Sequence, residues 1–464
     1  MRMKWENINI LLLLLCVAGL IYSDGIHKNN HAAYEKQIES DASEKSPDKT
    51  STKTEDENKP SKEQSKGEVP ADVKPDTQSD QTMNQAEDKI IRVLIKTQDF
   101  AGDYHSSLTL VCNSNTKTED GSRTFAAGDT ISLDTGSDLF DGEGVVKLFP
   151  EDENAGFTVT SMKRGQGTPT YEGKLEIYRS GEGMLLIDVL NLEIYLKYVV
   201  PSEMPSNYEV EALKAQSVCA RTYAYKHMLD ASLSDKHADV DDSVSYQVYN
   251  NISRQEVTDR AVNETAGQVM LCDGKPITAY FFSTSSGATS TNEVWSESPE
   301  KYLQCVNSGG LESSEPWFRW NVTLPLDYLN RQIEKYAIGT LKDIMILKKS
   351  SGGAVDEMKL VGSDGEKTLD SEYKIRQVLS TKGIPVKKQD GTTTTQMDLM
   401  PSAYFTCSPV YDQNQVTGYY FEGGGYGHGV GMSQNGANHL AASGKNWQEI
   451  LNYFYREIDV CPIP

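Results

Sequence analysis

The hydrophobic and polar positions divide this chain of 464 residues into three parts. In the first, residues 1–28, Arg2 and Lys4 precede a mostly apolar run over residues 8–22. A basic start before a hydrophobic segment is typical of a signal peptide or a signal anchor. The run is shorter than the roughly 20 residues of a full membrane span. No small-residue cleavage site follows it, which favours an uncleaved anchor, and Cys16 leaves lipidation as an alternative.

The second part, residues 29–88, has no hydrophobic period. It holds 15 acidic and 8 basic residues and a single aromatic residue, Tyr34. Such a segment cannot bury enough apolar surface to offset the entropy of ordering its backbone. We therefore expect a disordered, charged tether between the anchor and the rest of the chain.

The third part, residues 89–464, mixes two periods. Alternating or continuous apolar runs predict strands from Ile90, over residues 107–112, over 184–190 and over 276–285. Helical spacing appears between some of these runs, including a helix near residues 326–336. Strands and short helices without a parallel-sheet rhythm predict an α+β, β-rich domain of more than one lobe. We place the core motifs at residues 184–295 and 420–460, and a second mixed lobe at about 310–410.

Two helices are predicted around residue 203. Asn191 can cap a short helix that Pro201 would end. Ser206 can cap the next one, because Glu209 stands three residues later and completes a capping box. This second helix is rich in small residues and should be buried on most sides, so its polar Gln216 and Arg221 need partners.

The C-terminal stretch has a clear order of signals. Residues 423–436 read GGGYGHGVGMSQNG and lead into a helix that Gly444 would close. A final helix should start near Asn446, with Trp447, Ile450 and Phe454 on its apolar face.

The charge of the chain bears on its possible partners, and its cysteine spacing bears on possible disulfides. The net charge is −22, and an acidic surface argues against nucleic acid as a partner. Six of the seven cysteines lie beyond Cys16 at wide spacings that define no disulfide framework. A bridge between Cys272 and Cys305 is one open alternative.

Glu203 is the first candidate for chemistry. It stands between Pro201 and Pro205, which restrict the backbone on both sides. A carboxyl group in such a rigid turn can serve as a general acid, provided that burial raises its pKa. The alternative is a structural carboxylate that caps its own turn or pairs with Arg221.

Polar residues elsewhere suggest other chemistry less strongly. The glycine-rich stretch around His428 matches neither phosphate-loop pattern, and it can also be a plain turn with a satisfied histidine. Ser433 or Ser285 with His428 would make a serine hydrolase, but the chain has no GxSxG elbow. His237 lies near Asp239, Asp241 and Asp242, a cluster without metal-ligand spacing that we expect to be a solvated acidic loop.

Two long blocks, VVPSEMPSNYEVEALKAQSVCARTYA and GYGHGVGMSQNGANHLAASGKNWQEILNYFY, resemble the signature stretches of the stage II sporulation protein D family. That family also contains the amidase-enhancer proteins of bacterial cell walls. The resemblance extends from about Ile90 to Cys461. It implies a lytic transglycosylase that acts on peptide-stripped glycan strands of peptidoglycan during engulfment. It implies equally that some members only enhance a cell-wall amidase, so a non-enzymatic activator remains the alternative.

The resemblance also assigns residues. The family's catalytic glutamate falls on Glu203. The other matching positions are implied to bind substrate or to organise the site: Gln216, Arg221, Tyr223, Ser285, Ser286, Gly287, His428, Gly429, Ser433 and Gln434.

Cofactors, partners and location follow from the same resemblance. Some members carry a zinc site after the small-residue helix, but here Asp241, Ser245 and Tyr246 stand where ligands would be, so we expect no metal and no cofactor. The implied partners are a cell-wall amidase and a membrane organiser of the engulfment machinery. The anchor would hold the catalytic domain at the membrane on its outer side, in sporulation the intermembrane space.

Overall fold

A computed structural model describes residues 89–464. The anchor predicted over residues 1–28 and the tether predicted over residues 29–88 lie outside the described residues. The helices are α1 (Leu192–Glu203), α2 (Val210–Asp230), α3 (Glu256–Glu264), α4 (Leu326–Ile333), α5 (Glu372–Val378), α6 (Gln434–Ala442) and α7 (Trp447–Phe454). Short 3-10 turns lie at Gln98–Phe100, Ser234–Lys236, Asn292–Trp295, Pro316–Phe318 and Glu334–Tyr336.

The strands of the described part alternate with these helices. They are β1 (Ile90–Ile95), β2 (Ser107–Cys112), β3 (Thr116–Thr118), β4 (Thr124–Phe125), β5 (Thr130–Asp134), β6 (Val145–Pro150), β7 (Phe157–Val159), β8 (Thr170–Tyr171), β9 (Lys174–Ser180), β10 (Gly183–Asn191), β11 (Val240–Asp241), β12 (Gln268–Cys272), β13 (Lys275–Pro276), β14 (Phe281–Phe282), β15 (Trp320–Pro325), β16 (Leu341–Lys349), β17 (Val355–Gly362), β18 (Glu366–Leu369), β19 (Val386–Lys388), β20 (Thr393–Thr394), β21 (Phe405–Asp412), β22 (Gln415–Gly423), β23 (Met432–Ser433) and β24 (Asp459–Pro462). This mixture confirms the predicted α+β class.

The N-terminal strands form two sheets. One has the order β11-β1-β10-β9-β6-β3-β4, and the other has the order β5-β2-β7-β8. In the larger sheet β1 runs antiparallel to β10, from the pair Ile90–Asn191 to the pair Ile95–Leu186. Burial alternates along β2, as expected for a strand with one face on a core. These strands, α1 and α2 share the larger hydrophobic core with the C-terminal helices.

A second core lies within residues 320–421. It packs the sheet β20-β19-β15-β22-β21 and the sheet β16-β17-β18 around α4 and α5. Trp320, on β15, is fully buried there, and its Nε1 donates to the Gly425 carbonyl at 3.0 Å. The second core is therefore bonded directly to the glycine-rich stretch that holds His428.

Asn191 caps α1 as predicted. Its Oδ1 accepts from the backbone N–H of Glu193 at 2.7 Å and of Ile194 at 3.4 Å. The prediction that Pro201 ends this helix is wrong, because α1 continues to Glu203. The last turn still closes, since the Met204 N–H donates to the Val200 carbonyl at 2.9 Å.

The predicted capping box at Ser206 is also wrong. The helix α2 begins at Val210, and Glu209 makes no side-chain cap. The preceding turn is instead tied to α6: the Tyr208 hydroxyl donates to Asn435, and the Glu209 N–H donates to Asn438 Oδ1 at 2.8 Å. The helix spans 21 residues and is not short, but its small residues are buried as predicted.

Two further expectations near the site have opposite outcomes. The strand predicted over residues 276–285 is two short strands in different sheets, β13 and β14. They are separate because the chain turns tightly at Ala279, where the Tyr280 N–H donates to the Thr278 carbonyl at 2.9 Å. The predicted start of the last helix near Asn446 is confirmed, and Asn446 forms a complete capping box with Glu449.

The acidic segment after His237 is not a solvated loop. The Asp242 carboxylate is fully buried and pairs with the buried Arg164 at 2.7 Å. Asp239 accepts from the Arg92 N–H at 2.9 Å, so this segment is folded against β1. An arginine distant in sequence supplies the countercharge, which is why local composition suggested solvent exposure.

The six cysteines of residues 89–464 are free thiols, Cys272 and Cys305 included. In the same residues, none of the helices combines the length and the apolar character needed to cross a membrane.

Candidate active site

Glu203 is the last residue of α1, and its side chain is half-buried. Its Oε1 accepts from the backbone N–H of Val248 at 2.5 Å, which fixes the carboxyl group against the segment after β11. Pro201 is buried and Met204 is 1% exposed, so the chain on either side of the carboxyl is anchored in the core. The carboxyl group is therefore held by the fold, not free in solvent.

Burial raises the pKa of Glu203 to about 7, and the hydrogen bond from Val248 opposes this rise. A position at the C-terminal end of a helix also disfavours a negative charge. Within the described residues no lysine or arginine pairs with this carboxyl group. A carboxyl group with this pKa is partly protonated at neutral pH, as a general acid must be.

Arg221 lies elsewhere and does not pair with Glu203. Its guanidinium makes a two-pronged ion pair with Glu193, at 2.6 Å and 2.7 Å, and donates to the carbonyls of Val262 and Gln268. The Arg221 side chain is fully buried. This position joins α1 and α2 to the segment around β12.

Gln216 and Gln434 connect Glu203 to the C-terminal part. Gln434 Nε2 donates to the Glu203 backbone carbonyl at 2.9 Å and approaches Gln216 Oε1 at 3.4 Å. Gln216 is fully buried, and its Nε2 has no hydrogen-bond partner among residues 89–464. The structure thus brings Gln216 and Gln434, two predicted site residues from distant parts of the chain, close to the backbone of Glu203.

The serine loop, residues 283–289, and the glycine-rich turn, residues 423–433, lie side by side. Strands β14 and β23 pair in parallel, and Thr284 and Tyr426 exchange backbone hydrogen bonds. Gly429 and Gly431 have φ of 81° and 78°, and a Cβ at either position would collide with Tyr404 or with the Tyr280 carbonyl. Glycine is required there by both backbone conformation and space.

Glu312 forms hydrogen bonds with both segments. It was not among the site residues predicted from the sequence. Its Oε2 accepts from the Ser285 N–H at 2.8 Å and from the Ser433 hydroxyl at 2.7 Å. Both serines are buried, as is Glu312 itself. Burial raises the pKa of Glu312 to about 7. Ser285 and Ser433 therefore hold a structural carboxyl group in this structure.

The remaining predicted residues of the two segments use their backbones. The Ser286 carbonyl accepts from Arg319 Nη1 at 2.9 Å, and the Gly287 N–H donates to Ser285 Oγ at 3.0 Å. The Gly429 carbonyl accepts from the Ser290 N–H at 2.6 Å. These bonds fix the shape of the two segments.

His428 is half-buried in the glycine-rich turn. Its Nδ1 accepts from the Val430 N–H at 3.1 Å, and the ring also hydrogen-bonds the Phe281 backbone. Burial lowers the pKa of His428 to about 4. The imidazole is therefore neutral at physiological pH and presents its ring, not a charge.

An aromatic row passes the acid and reaches this imidazole. Neighbouring ring centroids along the row are 4.4 to 6.2 Å apart. Tyr223 is close enough to Glu203 to interact electrostatically with it. The row consists, in order, of Tyr246, His227, Tyr223, Tyr280, Trp295 and His428.

All members of the aromatic row except Tyr223 are half-buried. Half-exposed rings in a row offer apolar faces to the flat sides of sugar rings, and polar edges to their hydroxyls. Tyr223 and His428, predicted separately, thus belong to one aromatic row. Tyr280 and Trp295 were missed, because a tyrosine in a strand pattern and a tryptophan in a polar loop gave no distinct signal.

Asp241, Ser245 and Tyr246 stand where the family resemblance implies zinc ligands in other members. Within residues 89–464, no group of three or more histidine, cysteine, aspartate or glutamate side chains is arranged to hold a metal ion. Asp241 Oδ1 accepts from the N–H and the hydroxyl of Ser243, and Tyr246 packs on His227. The side chains of Asp241 and Tyr246 thus contact other residues of the protein.

The fold and this site together define an α+β protein with a half-buried acid near a row of aromatic rings. A family model described as Stage II sporulation protein matches residues 180–271, which include α1, α2 and Glu203. A second family model, described as Domain of unknown function (DUF8618), matches residues 306–431.

Individual relatives of this chain carry names from the same family. Stage II sporulation protein D of Bacillus subtilis is 30% identical over 333 residues, 66% of this chain and 88% of that protein. Its namesake in Bacillus amyloliquefaciens is 31% identical over 59% of this chain and 75% of that protein. The amidase enhancer of Bacillus subtilis is 29% identical over 56% of this chain, but only 39% of the enhancer is covered. The chain belongs to the stage II sporulation protein D family.

Proposed function

We propose that this protein is a lytic transglycosylase of the bacterial cell wall. It would cleave the bond between N-acetylmuramic acid and N-acetylglucosamine in peptide-stripped glycan strands and leave 1,6-anhydro ends. The observation that carries the proposal is the half-buried Glu203 carboxyl group, whose pKa burial raises to about 7, beside the aromatic row.

One carboxyl group suffices for this reaction. Protonated Glu203 donates its proton to the glycosidic oxygen, and the bond from that oxygen to C1 of the muramic acid breaks. The substrate's N-acetyl group stabilises the positive charge at C1. The Glu203 carboxylate then removes the proton from the C6 hydroxyl, whose oxygen closes the ring on C1. The same group acts first as acid and then as base, and no water is consumed.

The other residues of the site have supporting roles in this proposal. Val248 fixes the orientation of the carboxyl group through its N–H. Gln434 fixes the Glu203 backbone, and the aromatic row offers faces for consecutive sugar rings. Because His428 is neutral, it would contact sugar without attracting or repelling charge.

The biological setting of the proposal is sporulation. Two relatives are named stage II sporulation protein D, and a third is named amidase enhancer. We therefore propose a role in cell-wall remodelling during engulfment, together with a cell-wall amidase and a membrane organiser. Peptidoglycan lies outside the cytoplasmic membrane, so the proposal requires export, which the apolar run at residues 8–22 would direct.

The amidase-enhancer relative supports a second candidate, a non-enzymatic activator of a cell-wall amidase. One experiment separates the two. The purified protein is incubated with peptide-free glycan strands, without amidase, and the products are analysed by mass spectrometry. Shortened strands with 1,6-anhydro ends support the transglycosylase. Intact strands, combined with faster peptide release when amidase is added, support the activator instead.

The pH dependence of strand cleavage should follow Glu203. Because the raised pKa must leave the acid protonated, kcat/KM should fall as pH rises through about 7. The expected slope is about tenfold per pH unit above that point, since one proton is lost. Initial rates on glycan strands between pH 5 and 9 measure it, with circular dichroism at each pH as the folding control. A rate that rises between pH 7 and 9 would contradict Glu203 as the acid.

Trp295 should contribute to glycan affinity through its ring. Replacing Trp295 with alanine removes an apolar face next to His428 and Tyr280. Glycan binding should weaken on the order of tenfold, the effect of losing one partly covered aromatic ring. Calorimetry in a Glu203→Gln background avoids turnover. Trp447→Ala, at a half-buried tryptophan on α7, is the matched control and should bind normally. Equal loss in both variants would remove Trp295 from the binding surface.

A further inference from the structure

Glu312 is a buried acid that the proposed chemistry does not use. It precedes the 3-10 turn at Pro316–Phe318. It contacts the serine loop through Ser285 and the start of α6 through Ser433, two segments that are far apart in sequence. Its Oε2 takes both hydrogen bonds, from Ser285 and from Ser433. Its Oε1 is buried without a hydrogen-bond partner in the described part of the chain, and it faces Gly436.

The contacts of Glu312 lead directly to Glu203. Ser433 is the cap of α6, and its neighbour Gln434 donates to the Glu203 carbonyl at 2.9 Å. Ser285 directly follows Thr284, whose backbone pairs with Tyr426 of the glycine-rich turn. A movement of Glu312 therefore shifts both the support of the acid and the turn that holds His428.

We propose that Glu312 is a positioning residue that holds the serine loop and the Ser433–Gln434 pair against Glu203 as the neutral acid, and that its ionisation loosens the site. The consequence for catalysis rests on the proposed function. The structural statement does not require that function to be correct.

The charged and titratable groups around Glu312 support this direction. Glu315, on the same segment, disfavours a second negative charge on Glu312, whereas His439 on α6, which pairs with Glu315 at 2.8 Å, favours it. Tyr208, from the turn before α2, and Tyr453, on α7, also face this carboxyl group and are uncharged. Burial is the largest influence on the pKa of Glu312 and raises it to about 7, although the hydrogen bonds from Ser433 and Ser285 oppose this rise.

The sign of the pH effect follows from linkage. If the two segments open, Glu312 reaches water and ionises with its ordinary pKa, close to 4.5. The closed arrangement is then favoured below that value and progressively lost as pH rises towards 7. Local opening should therefore increase on the order of tens of fold between pH 5 and pH 8.

Hydrogen–deuterium exchange on the full chain tests the proposal without substrate. Peptides that cover residues 283–289 and 432–438 are followed between pH 5 and 8, after correction for the intrinsic exchange rate. In the wild type their protection should fall as pH rises, while peptides from β1 and β10 stay constant. In Glu312→Gln, which keeps an acceptor but has no charge, protection should not depend on pH. Glu422→Gln, at an exposed position on β22, should behave like the wild type.

The outcomes are separable. The proposal is overturned if the wild-type peptides show no pH dependence, or if Glu312→Gln retains it. If Glu312→Gln does not fold, the wild-type measurement alone still decides, because a loss of protection spread over the whole chain also overturns the proposal. Cleavage of glycan by the wild type, or its absence, bears on the proposed function and not on this result.

Discussion

Replacing Glu203 with glutamine should abolish glycan cleavage while the protein stays folded. Glutamine keeps the shape and can still accept the hydrogen bond from the Val248 N–H, but it cannot donate a proton to the glycosidic oxygen. General acid–base groups typically contribute on the order of 10²- to 10⁴-fold, and here one group performs both steps, so we expect a loss at the upper end. The measurement is the rate at which 1,6-anhydro ends form.

Glu209 provides the control for this variant. It lies six residues further on, is exposed, and makes no side-chain cap to α2. Glu209→Gln should cleave glycan at the wild-type rate. Glycan binding by Glu203→Gln should also remain, because the aromatic row is untouched. Undiminished cleavage by Glu203→Gln would end the catalytic assignment and leave the activator as the better description.

Glu203→Gln should also change how the stability of the protein depends on pH. Burial raises the pKa of Glu203 above its ordinary value, so the stability linked to this group is present at low pH and is lost as pH rises through about 7. Above that pH, Glu203→Gln removes a buried charge and should be at least as stable as the wild type. This separates loss of chemistry from loss of fold.

Replacing Arg221 with methionine should cause the largest loss of stability. The change leaves the Glu193 carboxylate without its partner and the Val262 and Gln268 carbonyls without a donor. Breaking a buried ion pair from one side typically costs about 3–5 kcal/mol. Urea unfolding, followed by tryptophan fluorescence, measures the free energy of unfolding.

Two further variants make the Arg221 result specific. Arg331→Met breaks an exposed pair with Asp327 on α4 and should cost less than about 1 kcal/mol. Glu193→Met combined with Arg221→Met removes both charges and should recover part of the loss, since no unpaired carboxylate remains. If Arg221→Met were as stable as the wild type but bound glycan poorly, Arg221 would be a sugar contact and not a structural group.

Local signals in the sequence predicted most of the elements near the site. Strands β1, β2 and β10, the cap at Asn191 and the start of the last helix near Asn446 depend on neighbouring residues, and all were predicted correctly. The start of α2 was misplaced because Asn438, more than 200 residues away, holds the Glu209 N–H. Local capping rules cannot include such a partner.

The same distinction applies to the site. The two signature blocks identified Glu203, Gln216, Gln434 and His428 as candidates, and the structure places them within one connected region. Glu312 and Trp295 had no signal, because a glutamate among serines and a tryptophan in a polar loop are ordinary in sequence. Arg221 was recognised as needing a partner, but its partner is Glu193 and not Glu203.

By itself, the sequence determined the α+β class, the small-residue helix and the family, since these depend on spacing and residue type along the chain. Tertiary structure alone decided the protonation of the two buried carboxyl groups and the assembly of the aromatic row. Both depend on which distant segments exclude water from a carboxyl group or bring rings to within a few ångströms, and the spacing along the chain does not specify either.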